Sequence, residues 1–69
     1  MPVLSDRERG NLEDLVDVYG LEYVVSALEE ICYEKEDHLR SNWQDEHSAA
    51  LWHKAGKRIG RLSAYIRTM

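Results

Sequence analysis

Phenylalanine is absent from this chain, and cysteine and proline occur once each. A single cysteine excludes an internal disulfide, the covalent aid of many small secreted domains. One proline and four glycines in 69 residues are too few for a disordered low-complexity chain or for a sheet with many tight turns. No apolar run approaches the roughly 18 residues that a membrane span needs. The start, Met1 to Glu8, lacks the basic opening and apolar stretch of a secretory signal. No Asn-Gly or Asp-Gly turn joins alternating segments, so the β-hairpin signal is missing. These absences point to a small, soluble, cytoplasmic all-α protein, residues 1–69 forming a single helical domain.

Acidic residues are missing from the last third of the chain. All 13 lie between Asp6 and Glu46, against four basic residues in the first fifty (Arg7, Arg9, Lys35, Arg40), so residues 1–50 carry −9. Residues 51–69 hold five basic residues and no acid, giving +5. Such a dipolar chain can take an anion at one end, or pair its halves within or between subunits.

Apolar residues, 43% of the chain, recur at helical spacing in three segments. Ser5 and Glu8 fit a capping box. Gly10 weakens a helix beginning there by about 1 kcal/mol relative to Ala, so the firm first helix is expected over 11–19, from Asn11 to a stop at Gly20. The second is expected over 21–39, with Leu21, Val24, Val25, Leu28, Ile31, Cys32 and Leu39 on one stripe and Glu30, Glu34 and Asp37 opposite. The third is expected over 42–67, capped by Ser41 or Asn42. On it Trp52, Ala55, Ile59, Leu62 and Ile66 form a 3-4-3-4 seam. Ala49, Gly56, Gly60 and Ser63 make a strip of small residues beside that seam.

The fold expected is therefore a short N-terminal helix followed by a long helical hairpin. A chain this short buries only about 60% of the surface it exposes unfolded. With no disulfide and no metal motif, it is expected to complete a bundle as a homodimer. The candidate interface is Trp52, Ala55, Gly56, Ile59, Gly60, Leu62 and Ile66, where the glycines leave room for close backbone approach.

Lys54, Lys57, Arg58 and Arg61 fall at i, i+3, i+4 and i+7 and form a basic stripe, a candidate anion-binding face. The competing reading pairs it with Glu30, Glu34 and Asp37 of the neighbouring helix. No Asn or Gln follows Gln44 to read base edges, and the chain is acidic overall, so nucleic acid is not the favoured partner. His38, His47 and His53 are nine and six apart, and neither spacing puts two imidazoles on one face; no metal site is expected. Cys32 lies on an apolar face and reads as a buried small hydrophobe. Trp52 reads as core; Trp43, at the junction of the second and third helices, reads as either a hairpin cap or a partner anchor.

Two resemblances accompany these residues. Glu13, Asp14 and Asp17 with Glu34 and Asp37 loosely resemble the acidic helix pairs of all-α nucleotide pyrophosphohydrolases, which hold magnesium. That family prefers Glu where this chain has Asp, and its chains are longer. The run from Tyr19 to Cys32, with His38 to Glu46, resembles small uncharacterised helical proteins of bacterial, phage and environmental origin; it covers residues 19–46 and implies no activity, cofactor or site.

The function expected is that of a small non-enzymatic interaction or regulatory protein, a homodimer that binds a protein partner, with no catalytic residue, cofactor or metal and no membrane association. The alternative is a nucleic-acid-associated helical dimer using the basic stripe. A further alternative is a carboxylate-magnesium nucleotide hydrolase of the all-α type.

Overall fold

A computed structural model describes residues 3–68. Three helices follow in order: α1 (Asp6–Tyr19), α2 (Leu21–Asn42) and α3 (Glu46–Arg67). Helices α2 and α3 pack along their lengths as a hairpin, while α1 touches α2 and does not reach α3.

The helix starts differ from expectation. α1 begins at Asp6 because the capping box forms in full: the Glu8 backbone N–H donates to Ser5 Oγ at 3.2 Å, and the Ser5 N–H donates to Glu8 Oε1 at 3.0 Å. Two satisfied donors outweigh the propensity cost of Gly10. Gly20 joins α1 to α2 with φ +93°, and its N–H closes on the Val16 carbonyl at 2.8 Å. No neighbouring atom crowds it; the backbone angle is what calls for glycine.

Neither Ser41 nor Asn42 caps α3. α2 runs on through both, and Asp45 caps α3 by accepting from the Ser48 N–H at 3.1 Å. The break comes at Gln44, which takes a left-handed φ of +51°. The Asp45 N–H then folds back to the Leu39 carbonyl at 3.0 Å.

The facing line of the hairpin is polar and small. Its pairs are Glu22–Arg67, Ser26–Ser63, Glu29–Gly60, Tyr33–Gly56 and Glu36–His53. Successive pairs climb α2 by four, three, four and three residues and descend α3 by the same steps, the heptad rhythm of an antiparallel coiled coil. Ala49, Gly56 and Ser63, seven apart, are the buried residues of α3; Val25 and Cys32, also seven apart, are those of α2. Burial of Cys32 is as the sequence implied.

The apolar stripes do not face each other across the hairpin, contrary to their reading as core. Leu21, Leu28 and Leu39 on α2 and Trp52, Ile59 and Ile66 on α3 sit about a quarter turn from the facing line, in the same rotational sense. In antiparallel helices that puts both rows on one face of the pair. Leu21 is 49% exposed, Leu28 43% and Trp52 38%. Small residues permit the closest helix approach, and the polar pairs between them are satisfied, so the contact line follows Ala49, Gly56 and Ser63 rather than the larger side chains.

Candidate interaction surfaces

Three surface features follow from this arrangement. The first is the apolar face. It continues from the hairpin into a groove of about 490 Å³ between α1 and α2, where Leu12, Leu15 and Tyr19 meet Tyr23, Val24, Ala27, Leu28 and Ile31. Because α1 stops short of α3, no third helix closes over the hairpin. The chain exposes 5896 Å², against about 4,500 Å² for a compact monomer of its mass. Its radius of gyration is 13.9 Å, against about 11 Å for a compact chain of this length.

Within the candidate dimer seam, Leu62 is 49% exposed and Ala55, Ile59 and Ile66 are half-buried. The two glycines are engaged inside the chain. A Cβ on Gly56 would lie 2.8 Å from Tyr33 Cε1, and one on Gly60 would lie 2.6 Å from Glu29 Oε2. The room they leave is taken by α2 side chains of the same molecule.

The second feature is the basic stripe. Lys54, Lys57, Arg58 and Arg61 line a shallow depression of about 300 Å³ on the side of α3 turned away from α2. Among the described residues none of the four forms an ion pair, so they do not meet Glu30, Glu34 or Asp37. The ion pairs are Arg40 with Glu36 and Glu46, His53 with Glu36, and Arg67 with Glu22.

The third feature is the hairpin end. The Trp43 indole N–H donates to His38 Nε2 at 3.1 Å. An indole nitrogen can only donate, so His38 Nε2 accepts this bond. The Asn42 side-chain amide nitrogen lies 2.8 Å from the other ring nitrogen, Nδ1. Trp43 stays 70% exposed, its nitrogen bonded back to α2 and not to α3.

Titration in this structure is governed by local bonds. The His53 side-chain hydrogen bond, reinforced by Arg40, holds the Glu36 carboxyl below its ordinary value against the opposing effect of desolvation. Bonds from the Ser5 and Ser48 backbone N–H groups hold Glu8 and Asp45 below theirs. Hydrogen bonds to Glu36 and Glu46 raise the Arg40 guanidinium. Each of these shifts belongs to a cap, to an inter-helix pair or to the Glu36–Arg40 pair within α2. Among the described residues no group of three or more His, Cys, Asp or Glu side chains comes together to hold a metal ion; Glu13, Asp14 and Asp17 do not converge with Glu34 and Asp37. No described helix is long and apolar enough to cross a membrane.

Comparison of the chain with known protein families, with curated proteins and with solved structures found no match.

Proposed function

We propose that the chain is a non-enzymatic interaction module that works as a homodimer, each copy covering the apolar face of the other and leaving the acidic side of α2 free for a protein partner. One observation carries this reading: the apolar rows of α2 and α3 share a face that, among the described residues, α1 meets at Leu28 on α2 and leaves open along α3. Domains hold together when such faces are packed in a second layer. The exposed area exceeds the compact expectation by about 1,400 Å² per chain. Two copies hiding that excess would bury about 2,800 Å², within the range of obligate homodimers. A like patch covering a like patch about a two-fold axis is the closed arrangement with fewest assumptions.

The test uses positions exposed in the single chain. At a free surface, Leu62→Gln or Leu21→Gln would change stability by no more than about 0.5 kcal/mol. In the dimer each leaves an amide against an apolar partner. The melting temperature of the parent should rise with protein concentration, and both variants should melt well below it. A melting temperature independent of concentration, with both variants as stable as the parent, would overturn the proposal.

A further inference from the structure

We infer that the outer side of α3 binds the phosphate backbone of a single-stranded nucleic acid, with Lys54, Lys57, Arg58 and Arg61 as the cation set and Tyr65 as a stacking platform. Four like charges within about two helical turns repel one another, and among the described residues none of them forms an ion pair, although the Glu29 carboxylate lies at Gly60, beside Arg61 in the chain. They converge on a shared depression lined by those four side chains, and no acidic residue follows Glu46 in the chain. The chain's net charge of −4 opposes a polyanion at low salt, so the test compares variants of equal net charge.

Tyr65 turns a charged face into one suited to a strand. Lys54, Arg58, Arg61 and Tyr65 follow one another at four, three and four residues, a continuous ridge on the side away from Ala49, Gly56 and Ser63. Tyr65 is 66% exposed. A cationic track beside an exposed aromatic is how single strands are held without base reading: phosphates pair with the cations, and a base stacks on the ring. The absence of Asn and Gln from this ridge agrees with sequence-tolerant binding. This inference does not depend on the homodimer, because the ridge is complete in one chain.

Fluorescence anisotropy with labelled oligothymidine tests it, starting at about 20 mM salt, where screening is weak. Binding is expected, and a tenfold rise in salt should weaken it by roughly several hundredfold if four phosphates are engaged. The triple variant Lys57→Gln, Arg58→Gln, Arg61→Gln should bind weakly with a flattened salt dependence. A control triple, Arg7→Gln, Arg9→Gln, Lys35→Gln, makes the same change in net charge away from the ridge and should bind nearly as the parent does. Tyr65→Ala should weaken binding about fivefold or more with the salt dependence unchanged. Circular dichroism establishes that each variant remains helical. No binding at the lowest salt, equal losses in the two triples, or tighter binding of duplex or of a polyglutamate peptide would each overturn the assignment.

Discussion

Glycines 56 and 60 look alike in the sequence and differ in what they touch. A methyl on Gly60 meets the carboxylate end of Glu29, which can swing away, so Gly60→Ala should gain helix propensity, about 1 kcal/mol or a little less. A methyl on Gly56 meets the Tyr33 ring at three atoms within 3.1 Å, and that ring is half-buried between the helices. Gly56→Ala should therefore lose about 1 kcal/mol or more, overpacking outweighing the propensity gain. Urea unfolding of the two variants measures the contrast; the opposite order would show the hairpin line to be misplaced. Gln44 is the other residue under constraint. A side chain in the left-handed region costs roughly 1–2 kcal/mol, and glycine removes that cost. Gln44→Gly should raise the melting temperature by a few degrees, since 1 kcal/mol corresponds to about 4–8 °C in a domain this small. A fall would mean that the Gln44 side chain contributes more than its backbone angle costs.

Among the elements, the helices and their order are legible in periodicity, and so is the stop at Gly20. What is not legible has physical causes. The Ser5–Glu8 box is visible, but Gly10 argues against a helix there until both caps are seen to be satisfied. The end of α2 is hidden because a left-handed glutamine leaves no compositional mark, whereas Ser41 and Asn42 look like caps and serve as ordinary helical residues. The small strip is visible too, yet the larger stripe beside it carries the stronger signal of a core. The matching signal on α2 is the seven-residue spacing of Glu22, Glu29 and Glu36, whose carboxylates meet Arg67, Gly60 and His53. The basic ridge is legible as a pattern; that it is unpaired depends on the rotation of the hairpin, which no spacing states. The caps also set an acid limit. Glu8 and Asp45 titrate below their ordinary 4.5 and 3.8, so folding favours their charged forms. Their stabilisation is present above those ordinary values and is lost as pH falls through the folded ones. Glu8→Gln should melt below the parent at pH 7, and the gap should close as pH drops below about 4.5. Thermal melts followed by circular dichroism across that range check this; a gap that persists unchanged at pH 3 would assign the loss to something other than the charge of Glu8.

At the scale of the molecule, a hairpin held by small and polar contacts carries its larger apolar side chains on the outside. Val25, Cys32 and Ala49 are the apolar side chains buried among the described residues, a thin core for 69 residues. In the proposed homodimer a second copy supplies the missing layer, and the basic ridge stays outward in both copies. The most direct measurement is sedimentation equilibrium of the unmodified chain at micromolar concentration, with circular dichroism on the same samples. The homodimer requires a species of twice the 8.1 kDa chain mass that loses helix content as dilution splits it. A helical 8.1 kDa monomer that unfolds cooperatively and keeps its helix content on dilution would contradict it.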